Sequence, residues 1–341
     1  MDEDKSKYAG YWIRRFLCEY MTSVRNLSVN TRNSYRDTIR LMLPHISKKA
    51  HTSIDLLLIQ DITPKRIQSF LSEIEEERNC CVNTRNLRLS AIYALAKYVA
   101  SSCPEHVEWC RMIHAVPVKK AGRTLITYLE KEEMDALLET PNRNTPQGWR
   151  DYTLMLFLYN TGARADEAAS LTINDLLIPT TKNKGFAIVT IKGKGGKMRR
   201  CPLWNKTTEE LKILIQNREA SAGLFLNRLG QPITRFGIYE MITRYAQIAE
   251  SRMPSIKNKR ISPHTIRHTT ATHLLQAGVD INTIRAWLGH VSINTTNIYA
   301  EVNMKMKAEA LKCCELVDEK PQNRKKWKND KNLMDFLDNL K

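Results

Sequence analysis

Residues 117–124 read PVKKAGRT, a stretch that is basic, broken by Pro and Gly, and poor in large apolar side chains. A segment of this kind adds little to a packed core, so it splits the chain into two parts that must each bury a core of their own. The division this implies is a domain over 1–116, a basic linker over 117–124, a second domain over 125–317 and a detachable arm over 318–341.

The first part reads as helices. Tyr11, Trp12, Phe16, Leu17 and Tyr20 fall near helical spacing, Ser28 can cap a second helix carrying Tyr35, Ile39 and Met42, and Thr63 followed by Pro64 starts a third. A fourth follows Asn83 and carries Leu87, Ile92, Leu95 and Tyr98. Two helix starts share Asn-Thr-Arg-Asn, at 30–33 and 83–86, each offering a capping group and an exposed arginine, Arg32 or Arg85. Such an end can face a phosphate; the alternative is two capped helices that merely share a start.

The second part changes pattern. Helices over 130–138 and 150–159 precede a Gly-containing turn, and a strand-like stretch at 186–191 leads through KGKGGKMRR into another near 201–203. That is a β-hairpin with a lysine-rich tip. Helical patterns resume near Thr208 and run, with interruptions, to about Val317. The arm mixes a basic run at 324–331 with an apolar stripe at Leu333, Phe336, Leu337 and Leu340.

Composition narrows the class. Hydrophobic residues at 42% and charged residues at 26% exclude collagen-like, low-complexity and wholly disordered chains. The longest apolar stretch, 154–159, is too short for a bilayer, and the amino end opens on Asp2, Glu3 and Asp4, so neither a membrane span nor a signal segment is expected. Eight scattered cysteines, including two adjacent pairs, match neither a disulfide framework nor a paired CxxC zinc pattern and read as reduced, intracellular thiols. The net charge of +17 has the sign that neutralises DNA or RNA phosphates through salt-sensitive binding, although a basic protein need not have a polyanionic partner.

Four local signals stand out: TGARADE at 161–167, GKGGK at 193–197, HTIRH at 264–268, and LGH at 288–290 followed by Tyr299. Together they offer two guanidinium forks, imidazoles, a lysine and a phenol. That inventory suits attack of an oxygen nucleophile on a phosphodiester, where arginines clamp the non-bridging oxygens, the phenol is activated by a base or by cations, and a lysine protonates the leaving sugar oxygen. The scheme needs no metal and no other cofactor. A P-loop is excluded because Met198 follows Lys197, and a zinc site at His264, His268 and His273 lacks a Glu or Cys to complete it. His268 is read as a supporting residue and Trp287 as core.

The ordered set TGxR, GKGxK, HxxRH, LGH and Tyr resembles that of the tyrosine recombinases, the phage integrase and Xer-like family, over Ser6 to about Val317. The resemblance implies a mainly α fold with a small antiparallel β-sheet, built as a helical SAM-like core-binding domain followed by a catalytic domain. It implies that Arg164 and Arg267 clamp the phosphate, Lys194 is the general acid, and His264 transfers a proton. His290 would bind phosphate, Tyr299 would form a 3′-phosphotyrosine, and Glu167, in preference to Asp166, would orient the site. Lys197 competes for the acid role, with Lys192 also near; Gly-Lys-Gly favours Lys194, and the other two would contact backbone phosphate. Arg32 and Arg85 would face the duplex, and Lys119, Lys120 and Arg123 would cross its backbone or simply solvate the linker. The implied partners are double-stranded DNA and three further copies, giving a homotetramer on two sites that passes through a Holliday junction, with an accessory recombinase or directionality factor as a further partner. The implied role is integration, excision or transposition of a mobile element, or Xer-like resolution, in a bacterial cytoplasm at the nucleoid. A type IB topoisomerase and a catalytically silent accessory protein are the competing readings; the two-domain layout disfavours the first and the filled catalytic positions the second.

Overall fold

The computed structural model describes residues 5–122, 126–179, 185–289, 335 and 337–339, with the Lys194 side chain outside that set. The arm and its apolar stripe therefore lie almost wholly outside the described residues. The chain forms two compact units, Met1–Thr124 and Leu125–Lys341. Among the described residues it is mainly helical with one three-stranded antiparallel sheet, and no helix is long and apolar enough to cross a membrane.

The first unit contains α1 (Ala9–Arg15), α2 (Val29–Ala50), α3 (Pro64–Glu76), α4 (Val82–Ser102) and α5 (Val107–His114). The expected caps appear at two starts: Ser28 Oγ accepts from the Thr31 N–H, and Thr63 Oγ1 accepts from the Arg66 N–H ahead of Pro64. The first amphipathic stretch continues past α1 as a π-helical segment, Phe16–Val24. There Phe16 stacks on Tyr20 and Tyr35 at 5.9 and 6.2 Å, and this ring packing offsets the poorer geometry of the wider turn. α4 is the central helix, packed against α2, α3 and α5 and burying Leu89, Ile92, Leu95 and Val99.

Two expectations for α4 need correction. It starts at Val82 after Cys81, so Asn83 lies inside its first turn and caps nothing, and Leu87 is turned to solvent. The shared tetrapeptide is thus not a shared cap. Arg85 is not an exposed arginine either: it is buried, and its Nη1 donates to the Pro117 carbonyl at 2.8 Å and to Asn86 Oδ1 at 3.0 Å. Asn86 in turn donates to the Lys119 carbonyl and accepts from the Lys119 N–H. The opening residues of the basic segment are tied to α4 by these bonds, which a reading of local composition does not reveal.

The second unit is organised around α7 (Pro146–Thr161), of whose sixteen residues twelve are buried. It begins earlier than the expected position 150, because Thr145 Oγ1 accepts from the Gly148 N–H with Pro146 in the first turn. α6 (Lys131–Leu138) packs on α7, and Glu133 satisfies the Glu130 N–H at its start. After α7 come α8 (Ala165–Ala169), β1 (Leu176–Leu177), β2 (Ile188–Lys192), β3 (Met198–Pro202), α9 (Asn205–Leu214), α10 (Arg235–Glu250), α11 (Pro263–Gln276) and α12 (Ile281–Leu288). α11 lies against α7 through small side chains, with Thr270 Oγ1 donating to the Tyr159 carbonyl.

The sheet runs β1-β2-β3, all antiparallel. β1 was not anticipated, since two residues are too few to show alternation. The hairpin is longer than expected toward its tip: Lys192 pairs with Met198, and the turn is confined to Gly193–Lys197, closed by the Gly193 N–H on the Lys197 carbonyl at 2.8 Å. Gly195 and Gly196 both have positive φ, which supplies the tight reversal. Met198, Arg199 and Arg200 are therefore strand residues.

Candidate active site

The turn after α7 sets the first side chain. Gly162 ends the helix in the left-handed region at φ 60°, with its N–H on the Leu158 carbonyl. A Cβ there would stand 2.5 Å from Leu288 Cδ2, so both conformation and space call for glycine. The chain then turns outward, and Arg164 takes the N-cap position of α8.

Of the two neighbouring acids, Asp166 is exposed and Glu167 is buried. Glu167 Oε1 accepts from Arg164 Nη1 at 2.7 Å, and Oε2 accepts from the Arg164 N–H at 2.9 Å and from Arg199 Nη2 at 2.7 Å. One carboxylate thus joins two guanidinium groups. Burial alone would raise its pKa, but the bonds and charge from Arg199, followed by those from Arg164, outweigh burial and hold it below the usual carboxylate range.

Arg199 is the residue that sequence reasoning missed. It lies in the KGKGGKMRR run read as the connection between the two strands, yet it is opposite the buried Ile191 and two residues before the buried Cys201. Carrying the strand's two-residue alternation back from Cys201 points it inward. That was the available signal.

Arg267, on α11, is almost fully buried, and its Nη1 and Nη2 donate to the carbonyls of Gly162 and Leu288 at 2.5 and 2.6 Å. It stitches the turn before Arg164 to the end of α12. His264, one turn earlier on α11, is exposed at the surface. Crowding by surrounding protein, followed by the Arg267 and Arg164 cations, lowers its pKa and favours the neutral imidazole. His268 packs edge-on against His264 at 4.9 Å, and burial followed by His264 and Arg267 lowers its pKa to about 4. His273 pairs instead with the Tyr159 hydroxyl at 2.7 Å. Among the described residues no group of three or more His, Cys, Asp or Glu is arranged to hold a metal ion.

The structure therefore brings together Arg164, Glu167, Arg267 and His264, and adds Arg199 and the buried Cys201, whose thiol lies within the field of Arg199, Glu167 and Arg267. Gly193, which leads into the turn holding Lys194, lies beside this cluster: a Cβ there would be 3.4 Å from Glu167 Oε1. The Lys194 side chain, His290, Tyr299 and Arg123 lie outside the described residues. Lys197 is exposed on the hairpin, and with Arg199, Arg200 and Arg285 it lines an open cavity of about 700 Å³ between hairpin and α12. Trp287 is partly buried against the core beside it.

In the first unit, Lys120 is exposed and Lys119 pairs with Glu75 at 2.7 Å. Arg32 is half-buried, with its Nη1 on Thr22 Oγ1 at 3.2 Å. Arg85, as described above, is turned inward.

The model of the phage integrase family matches residues 127–306, and that of the phage integrase N-terminal SAM-like domain matches residues 13–102. y4rC of Sinorhizobium fredii, assigned as an integrase/recombinase, is 34% identical over 330 residues, covering 96% of this chain and 97% of its own length. The tyrosine recombinase XerD of Staphylococcus haemolyticus is 30% identical over 286 residues, covering 82% of this chain and 90% of its own. Among solved structures, the XerH site-specific recombinase bound to a palindromic difH substrate in a post-cleavage complex superposes with a TM-score of 0.66 at 25% identity, covering 84% of this chain and 80% of that one.

Proposed function

The chain belongs to the phage integrase family and is a tyrosine recombinase, an enzyme of site-specific DNA recombination, and from that premise we propose the roles of its residues in cleaving and rejoining a strand. The observation that carries the reading is the convergence of Arg164, Glu167, His264 and Arg267 from two distant stretches of chain onto one place beside the hairpin. Arg164 presents guanidinium donors to the non-bridging oxygens of a phosphodiester, where charge grows in the transition state, and Arg267, buried with its Nη1 and Nη2 on the Gly162 and Leu288 carbonyls, adds its positive charge to the same clamp. Tyr299 passes its proton to the neutral His264 imidazole and attacks phosphorus; a phosphorus–oxygen bond to tyrosine forms as the bond to the 5′ sugar oxygen breaks. Lys194 gives that oxygen its proton, His290 binds the phosphate, and His264, held neutral, exchanges a proton beside the arginines. A 5′-hydroxyl then attacks the 3′-phosphotyrosine and releases Tyr299. The phosphoester bond is conserved at each step, so the scheme runs without ATP, metal or another cofactor.

The substrate is double-stranded DNA, which accords with the charge of +17. Strand exchange between two sites calls for four copies, one for each strand cut, passing through a Holliday junction. Lys120, Lys197 and Arg32 serve as backbone contacts. The role is exchange between separated sites, as in integration, excision or transposition of a mobile element or in Xer-like resolution, and an accessory recombinase or directionality factor is a further partner to screen. The site of action is the bacterial cytoplasm, at the nucleoid.

Covalent capture tests this. Purified protein is incubated with fragmented DNA flanking its own gene, denatured, and the attached ends are sequenced beside a Tyr299→Phe control. A defined end that depends on Tyr299 is expected. An adduct that persists in the Phe variant would overturn the nucleophile assignment.

A further inference from the structure

We propose that Arg199 is a positioning residue of the recombination site, which holds Arg164 through Glu167 and registers the Lys194 hairpin and the turn before His290 against it. The proposal rests on the reading of the site given above and goes beyond it. Three separate segments meet on this one side chain. Its Nη2 is bonded to Glu167 Oε2, its Nη1 would lie 3.5 Å from a Cβ at Gly193, and its Cδ would lie 3.1 Å from a Cβ at Gly289. Glu167 is the first segment's link to Arg164, Gly193 opens the turn that carries Lys194, and Gly289 immediately precedes His290. Bare glycine at the last two places leaves room for the Arg199 side chain, and at Gly289 a Cβ would crowd it.

Packing alone does not explain an arginine here. The Arg199 side chain is 8% exposed on the inner face of β3, and its Nε is buried without a hydrogen-bond partner among the described residues. A buried ion pair replaced whole by apolar residues of similar volume often costs no stability, because burying the charges costs much of what pairing returns, so packing by itself does not call for the pair. What an apolar residue cannot do is fix the rotamer of a carboxylate that also binds a second arginine. Lysine, with a point charge and no planar fork, would do so only in part.

The test is single-turnover cleavage, at saturating protein, of a nicked duplex bearing the site recovered by covalent capture, together with the affinity for that duplex and the melting temperature. Arg199→Met is expected to slow cleavage at least 30-fold while affinity stays within about threefold, and Arg199→Lys to fall between it and the native protein. Because the effect runs through Glu167, combining Arg199→Met with Glu167→Gln should be no slower than Glu167→Gln alone. Native-like cleavage by Arg199→Met, or losses that multiply in the double variant, would overturn the proposal. If Arg199→Met does not fold, Arg199→Lys decides: a native rate at a native melting temperature overturns it. Arg164→Ala and Tyr299→Phe run alongside. If they still form the adduct, the underlying reading of the site fails; if they lose it and the Arg199 variants do not, only this inference fails.

Discussion

Arg199 Nη2 and Glu167 Oε2 meet at 2.7 Å although thirty-two positions separate them, and Arg164 holds the other oxygen of the same carboxylate. A carboxyl with a depressed folded-state pKa adds stability that is full above its unfolded pKa, near 4.5, and is lost as pH falls through the folded value. Glu167→Gln leaves Arg199 buried without its counter-charge and is expected to cost about 3 kcal/mol at neutral pH. It should also flatten the acid limb of stability below pH 4.5. Urea unfolding across that range reads both effects; an acid limb as steep as the native one would refute the second.

Arg267 donates from separate nitrogens to the carbonyls of Gly162 and Leu288. A lysine ammonium cannot span both. Arg267→Lys is expected to lose about 2 kcal/mol of unfolding free energy and about 100-fold in single-turnover cleavage. Retention of native stability would mean the two carbonyls are satisfied without the fork.

Gly162 and Leu288 are coupled by contact. Gly162→Ala places a Cβ 2.5 Å from Leu288 Cδ2 at φ 60° and should destabilise by about 2 kcal/mol. Leu288→Ala removes the clashing methyl groups, so the double variant should be less destabilised than the sum of the singles by about 1 kcal/mol. Strict additivity in denaturant melts would show that the turn yields in another direction.

His268 has its pKa lowered to about 4 by burial, followed by the nearby His264 and Arg267 charges. The unfolded state takes up the proton first, so stability falls as pH drops from 6.5 toward about 4. His268→Gln should flatten melting temperature over that interval, with little change above it. An unchanged slope would assign the pH dependence to other groups, His264 and His273 foremost, whose pKa values are lowered too.

Arg85 and Lys120 should separate structure from DNA contact. Arg85→Ala removes the bond to the Pro117 carbonyl and is expected to cost about 2 kcal/mol of stability while the salt dependence of DNA binding is kept. Lys120→Ala should leave stability unchanged and reduce the slope of log affinity against log salt by about 0.9, the share of one phosphate. The opposite pattern in filter-binding titrations would reverse both assignments.

Much of the fold was legible because its signals are local. Ser28 and Thr63 are caps that bond three residues ahead, so their meaning lies within one turn. Arg164 and Glu167 are likewise three apart, and the pairing of backbone N–H, guanidinium and carboxylate follows from that spacing. The shared Asn-Thr-Arg-Asn misled for the same reason: its first turn looks alike at both places, but Arg85 is buried by the chain at Pro117, thirty-two positions on. Arg199 was overlooked because a basic run beside a lysine-rich tip reads as a connection between strands until the register of β2 and β3 is known.

The sequence by itself determined the presence of the helices, the caps at Ser28 and Thr63, the hairpin and the ordered motif set, since each depends on neighbours within a few residues. Only the tertiary structure decided which cations meet which anion. The Arg267 bond to Gly162 spans 105 positions and the Arg199 bond to Glu167 spans thirty-two. Such pairings arise where packed cores bring distant strands and helices to one place, and a buried charge is stable only against a partner brought there by the same packing.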